Sequence, residues 1–389
     1  MPFDLFTLVL FVFVAIFGSL IGSFANVVIY RVPAGKSVVF PRSRCPHCGR
    51  ALTALDLVPV FSWLFLRARC RSCHQPIAGR YPAIEALMAL GFVLLVWRFP
   101  LERYGLTVLP LWVLFAMLLM LAMIDIDHYL LPDSLTLPAL AVALLGSWLY
   151  DVSSGLPTFS QALGSAAMAA GIIALINRIG GLVLRRFRDT QERLQPIGMD
   201  QLNLAAFVGA VAGWPLALLA ALLAVLVNFK RDVQRLWRLP EPWLYGLWLL
   251  ALLALPWNPW LSVWEGLWAT AVAAGVVAIL GALYWWLYDL RQAPEDNATE
   301  PSPGDDEPVA MGFGDVKLAA VLGALLGWQW LLVALFLAFI FGALGGIVAS
   351  VRQGDKLVPF GPYLVLGGLV SLFVGEALLG WYLGLLGLV

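Results

Sequence analysis

From Leu5 to Tyr30 the chain carries no charged residue, and the run exceeds the roughly 20 residues an α-helix needs to cross a bilayer. Similar runs recur to the C-terminus. Hydrocarbon offers backbone groups no water, so such runs fold as helices that close their own hydrogen bonds. Hydrophobic residues make up 61% of the 389 positions and charged residues 12%, too little polar surface for a soluble globule of this size. The chain reads as an all-α polytopic membrane protein. Asp4 is the only early charge, so the first run is a retained span rather than a cleaved signal peptide.

The apolar segments number about twelve. They run Leu5 to Tyr30, Pro82 to Trp97, Leu106 to Ile124, Ser134 to Tyr150 and Phe159 to Leu184, then a hairpin broken at Gly213-Trp214-Pro215 and ending at Phe229. Trp243 to Leu255, Leu261 to Tyr288, a second hairpin broken near Gly327-Trp328, and Pro362 onward complete the set. The first limbs of the hairpins, Leu202 to Gly213 and Val316 to Gly327, would reach only about 18 Å, against roughly 30 Å of hydrocarbon. They either re-enter or thin the bilayer locally.

The formal net charge is zero, and no nucleic-acid partner is expected. The placement of charge is more informative. Nine Lys or Arg lie between Arg31 and Arg80, and smaller basic clusters follow at Arg185, Arg186, Arg188 and Arg193, and at Lys230, Arg231, Arg235 and Arg238. If all three face the cytoplasm, the positive-inside rule places the N-terminus outside. Only Arg98 and Arg103, flanking Glu102, then occupy an external loop. Residues 289–310 are acidic and proline-containing, an expected linker that acts as a passive tether or as a gate.

All four cysteines fall in one basic segment, as Cys45-Pro-His-Cys48 and Cys70-Arg-Ser-Cys73 with 21 residues between the pairs. Two such knuckles supply four thiolates for a tetrahedral zinc, which folds a loop that has little core of its own. Disulfides or unrelated thiols are the alternatives, and the cytoplasmic side disfavours disulfides. His47 and His74 lie within the knuckles, where a four-Cys site does not need them.

Two aspartates stand where apolar runs meet loops: Asp125, in Ile124-Asp125-Ile126-Asp127-His128, and Asp315, in Met311-Gly312-Phe313-Gly314-Asp315. Ionisable groups near hydrocarbon are costly and point to function. Facing carboxylates share one proton, one acting as base on water and the other as acid, which is aspartic-peptidase chemistry. The competing reading makes each a cap for the helix that follows it.

The chain after Gly155 is duplicated. Gly198, Leu204, Ala205, Ala206, Gly209, Gly213 and Trp214 match Gly312, Leu318, Ala319, Ala320, Gly323, Gly327 and Trp328 without gaps, and Ala169-Ala-Gly-Ile-Ile-Ala174 resembles Ala273-Ala-Gly-Val-Val-Ala278. In the first copy Gln201 stands where Asp315 stands in the second, and Asn203 where Lys317 stands. Asp200 is one position out of register, a rotation of roughly 100° on a helix. The first copy reads as chemically inert, the two copies as similarly oriented. The expected organisation is therefore a span over residues 1–30, a cytoplasmic zinc domain over 31–81, spans carrying Asp125 over 82–158, an inserted degenerate repeat over 159–260 and a repeat carrying Asp315 over 261–389.

Gly22-Ser-Phe-Ala-Asn-Val-Val-Ile-Tyr-Arg-Val-Pro33, the two CxxC knuckles, Arg80-Tyr-Pro-Ala-Ile-Glu85, Asp125-Ile-Asp-His-Tyr-Leu-Leu-Pro-Asp133, Gly312-Phe-Gly-Asp315 and Pro359-Phe-Gly-Pro-Tyr363 together resemble the prepilin peptidases of type IV pilus and type II secretion systems. The resemblance implies an inner-membrane aspartic endopeptidase that removes short, positively charged prepilin or pseudopilin leaders at the cytoplasmic face. It also implies N-methylation of the new N-terminus with S-adenosylmethionine; no glycine-rich fingerprint for that cofactor is visible. Asp125 and Asp315 become the catalytic pair. Gly312 and Gly314 allow close backbone approach; Lys317 either holds Asp315 ionised or snorkels. Asp127 and Asp133 are supporting residues, Asp133 as the N-cap of the next helix, and Glu85 either pairs with Arg80 or lines the site.

The inserted copy and the Asp306-Glu-Pro-Val-Ala310 lead-in depart from the family pattern. A monomer is expected, with the inserted copy packed beside the active one. An ion-coupled carrier is the competing class, but a carrier would build its site from both repeats. An inactive scaffold is disfavoured by the intact Asp125 and Asp315.

Overall fold

A computed structural model describes residues 4–150, 152–183, 197–229, 241–291, 312–353 and 358–385. The basic clusters at 185–193 and 230–238 and the linker from residue 292 to 310 lie outside the described residues. The chain divides into two compact units, Met1–Leu156 and Pro157–Val389.

In the first unit the helices are α1 (Leu5–Arg31), α2 (Phe61–Phe65), α3 (Arg80–Arg98), α4 (Leu101–Tyr104), α5 (Val108–His128) and α6 (Asp133–Gly146). Asp4 starts α1 by accepting a hydrogen bond from the Thr7 backbone N–H at 2.8 Å, satisfying one of the orphan donors of the first turn. The α1–α3 contact depends on Gly18 and Gly22: a Cβ at Gly22 would lie 2.7 Å from Glu85 Cα, and one at Gly18 2.9 Å from Ala89 Cα. Glycines four apart let two membrane helices touch along their backbones, where dispersion supplies the attraction. Beneath them Phe92 stacks on Trp112 with centroids 5.2 Å apart, and Trp112 Nε1 donates to the Phe92 carbonyl at 3.2 Å. The opposite side of α1 exposes Phe6, Phe13 and Leu20, as a lipid-facing helix does.

The second unit contains α7 (Phe159–Val183), α8 (Met199–Ala212), α9 (Trp214–Phe229), α10 (Glu241–Ala254), α11 (Val263–Arg291), α12 (Phe313–Gln353) and α13 (Gly361–Leu385). Gly213, between α8 and α9, has φ 86 and ψ 167. Gly327, inside α12, has φ 73 and ψ 169. These are matched positions of the sequence repeat, and both occupy a region open essentially to glycine alone. Carbonyls freed at the first break are taken up by Asn258, whose Nδ2 donates to Val211 O at 3.0 Å.

The packing of the two sequence copies is reciprocal. Helix α7 packs on α12, and α11 on α8. Gly209 of α8 sits against Ala269 and Thr270 of α11, while Gly323 of α12 sits against Ser165 and Ala169 of α7. Where α7 meets α11, a Cβ on Gly171 would strike the Ala271 carbonyl and a Cβ on Gly275 the Ala167 carbonyl. Backbone cannot yield as a side-chain tip can, and overpacking typically costs about 1–3 kcal/mol. Gly275→Val should therefore lower the thermal unfolding midpoint of the detergent-solubilised protein by several degrees. Gly164→Ala, where no atom lies within 4 Å, should leave it unchanged or slightly raised, because Ala is the better helix former.

The expected count of about twelve spans is not reached by length and composition. Among the described residues seven helical stretches are long and apolar enough to cross a membrane. Asp133–Leu149, Trp214–Asn228 and Gly246–Trp257 are shorter apolar helices. The physical reason is the glycine breaks, which divide apolar sequence into limbs, together with short helices that sequence hydropathy scores as spans.

Candidate active site and metal centre

The four cysteines converge. Their Sγ atoms all lie within 4.8 Å of one another, and Cys45 Sγ is 3.9 Å from Cys73 Sγ. Four thiolates at about 2.3 Å from a tetrahedral zinc would be about 3.8 Å apart, so the donor set fits. Each knuckle is built in the same way. Cys45 N–H bonds to Arg50 O and Gly49 N–H to Cys45 O; Cys70 N–H bonds to Gln75 O and His74 N–H to Cys70 O. Gly49 and His74 occupy equivalent positions and both have positive φ, 70 and 57. His47 and His74 are exposed and outside the thiol cluster.

Asp56 joins the knuckles. It accepts from Arg50 at 3.2 Å and from Arg71 at 2.9 Å, while Thr53 N–H and Oγ1 bond to the same carboxylate at 3.0 and 2.8 Å. The Thr53 contacts and the Arg71 charge hold its carboxyl below the ordinary carboxylate range. The signal lies in Thr53-x-x-Asp56, a capping-box spacing.

Backbone N–H groups of Cys73 and Ser72 pull the Cys70 thiol from its ordinary 9.0 down to about 6, because hydrogen bonds to the anion favour the anion. A depressed acid contributes stability that is complete above the unfolded value near 9 and is lost as pH falls through about 6. Protons also compete with metal for thiolate. A zinc-loaded protein should therefore lose its metal progressively as pH falls, as a chromogenic chelator would read.

Asp125 lies in the last turn of α5 and is buried, at 6% exposure. Tyr129 ends the helix in the left-handed region, φ 53, with its N–H on Asp125 O at 2.9 Å. Asp127 pairs with Arg80, Nη1 to Oδ1 at 2.7 Å. Asp133 is not the N-cap of α6: that position is Pro132, and Asp133 lies in the first turn, where its charge still suits the helix dipole. Glu85 does not meet Arg80 in an ion pair. It is buried and its Oε2 accepts the Val60 N–H at 2.7 Å, holding a β-branched residue at φ 61, a conformation that costs about 1–3 kcal/mol.

Asp125 belongs to the first unit, Asp315 to the second. Asp315 sits in the first turn of α12, 7% exposed, its N–H on Gly312 O at 3.1 Å. A Cβ on Gly312 would lie 4.0 Å from Asp315 Oδ2, at ordinary van der Waals distance. Gly314 is the residue before it, half-buried. Lys317 Nζ lies 5.8 Å from the Phe313 ring centroid, a cation–π distance. In the other copy Gly198 N–H donates to Gln201 Oε1 at 2.6 Å, and Gln201 Nε2 to Asp200 Oδ2 at 3.0 Å. Gln201 thus folds back on the glycine that opens its helix, with an amide where α12 has a carboxylate.

These features define a multi-pass helical membrane protein with a four-thiolate knuckle pair and buried carboxylates at two helix ends. The description "Bacterial Peptidase A24 N-terminal domain" matches residues 16–99, and "Type IV leader peptidase family" matches twice in succession, over 112–229 and 231–347. The chain belongs to the type IV leader peptidase family. A prepilin leader peptidase/N-methyltransferase of Myxococcus xanthus is 39% identical over 54% of this chain and 58% of its own length. One from Aeromonas hydrophila is 29% identical over 96% of this chain and 93% of its own, and one from Pectobacterium carotovorum 32% identical over 60% and 88%. No solved structure matches the chain. The first family match holds Asp125 and Asp200, and the second holds Asp315.

Proposed function

We propose that this chain is a prepilin leader peptidase that also N-methylates the processed pilin, and that Asp125 and Asp315 perform the cleavage. The carrying observation is the leader-peptidase family match, which spans both aspartates. Two carboxylates sharing one proton suffice for peptide hydrolysis. One takes a proton from water as its oxygen attacks the scissile carbonyl, and the other gives a proton to the departing amine. The burial of both side chains supports this role, since neither serves as an ordinary solvated surface charge.

The four thiolates would hold zinc, which supplies cross-linking rather than reaction chemistry. S-adenosylmethionine is the methyl-donating substrate expected from the relatives' names. The inner membrane is the expected location, with the knuckles and both aspartates on the cytoplasmic side. The protein is a monomer in this reading; the reciprocal glycine contacts support residues 159–260 as packing partner to residues 261–389.

Purified full-length protein mixed with a prepilin should yield a product shortened at the leader junction. With S-adenosylmethionine the new N-terminus should be one methyl group heavier by mass spectrometry. An uncut precursor across several prepilins and pseudopilins would refute the proposal.

A further inference from the structure

We infer that Arg80 is a positioning residue for Asp125, acting through Asp127; the inference rests on the reading of Asp125 as catalytic. Arg80 opens α3 and reaches across to the last turn of α5. Both guanidinium ends engage the Asp127 carboxylate, at 2.7 Å for Nη1 to Oδ1 and 2.5 Å for Nη2 to Oδ2. The same Nη2 lies 3.4 Å from Met123 O. Met123 and Asp127 are four residues apart, one helical turn on one face, and Asp125 lies between them. A single planar fork therefore brackets the turn that carries Asp125.

The position makes little sense for α3 alone. A cation in the first turn of a helix opposes that helix's dipole, whereas the same charge at the C-terminal turn of α5 is favourable. The pair is partly solvated, with side-chain exposures of 39% and 26%. Such an ion pair adds little to global stability, but bidentate geometry fixes orientation. Orientation is what the end of α5 needs. The helix stops at a left-handed Tyr129, and nothing helical follows until Asp133, so the Asp125 turn would otherwise fray. Arg80 also begins α3 only seven residues after Cys73, which places the metal-binding segment directly upstream of the clamp. A small displacement of a reacting group costs up to about 100-fold in rate.

Arg80→Ala in the full-length protein should lower kcat for prepilin cleavage about ten- to 100-fold, with KM, zinc content and thermal midpoint near wild type. Arg80→Lys, which keeps charge but not the fork, should fall between. Asp127→Asn should lower kcat in the same direction, by no more than Arg80→Ala, which also loses the Met123 contact, and the double variant should be no worse than Arg80→Ala alone. Additive losses, a KM effect with kcat intact, or wild-type kcat in Arg80→Lys and Arg80→Ala would overturn the inference. If Arg80→Ala does not accumulate, Arg80→Lys decides: reduced kcat at an unchanged midpoint supports the clamp, and unchanged kcat rejects it. Asp125→Asn run in parallel separates the two readings. An inert Asp125→Asn beside a fully active Arg80→Ala rejects only the clamp, whereas an active Asp125→Asn rejects the catalytic assignment beneath it.

Discussion

Asp125→Asn and Asp315→Asn are each expected to reduce leader cleavage by at least about 1000-fold while the protein still accumulates in the membrane. The amide is nearly isosteric with the carboxylate but neither accepts nor releases a proton in the working range, so each change removes one member of the proposed acid–base pair, and acid–base catalysis alone is worth about 100- to 10,000-fold. Both side chains are buried, and replacing a buried carboxylate by an amide removes a desolvation cost, so loss of folding is not the expected cause of inactivity. Gln201→Ala is the internal control. Gln201 occupies the matched position in the other copy and bonds to Gly198 and Asp200, so its loss should weaken the start of α8 by about 1 kcal/mol and leave cleavage near wild type. Full activity in either aspartate variant would remove that residue from the site. Inactivity of Gln201→Ala at wild-type abundance would show that the first copy is not inert.

Cys45→Ser or Cys70→Ser should take the bound zinc from one per chain to none. Both sulfurs are buried, and structural zinc contributes about 10–16 kcal/mol of coupled folding free energy in small four-ligand sites, far beyond what residues 44–76 could replace with the Asp56 network. Elemental analysis of the purified protein reads the stoichiometry, and limited proteolysis should cut the variants between the knuckles where the wild type resists. If the domain serves methylation, methyl transfer should fall more than cleavage. Wild-type protein without metal and with four titratable thiols would contradict the site.

The metal centre was legible because its chemistry is local: each knuckle closes over six residues by backbone hydrogen bonds, and thiolate spacing is written directly in the chain. The Gly213 and Gly327 breaks were legible for a similar reason, since only glycine holds that backbone conformation. Partner choice was not. Asp133 failed as an N-cap because Pro132, with its fixed φ, already stood at the helix boundary. For Glu85 the chain left two readings open, pairing with Arg80 or lining the site. In the fold Arg80 turns to Asp127 and Glu85 to Val60, contacts 47 and 25 positions apart in the chain.

The sequence by itself determined the membrane class, the clustering of the four thiols and the duplication, because apolar length, cysteine spacing and repeated residues are properties of the chain's order. Tertiary structure alone decided which carboxylate each cation meets and which glycines carry helix crossings. Those depend on where helices with nearly uniform apolar surfaces settle against one another, and dispersion between such surfaces leaves no periodic mark in the chain.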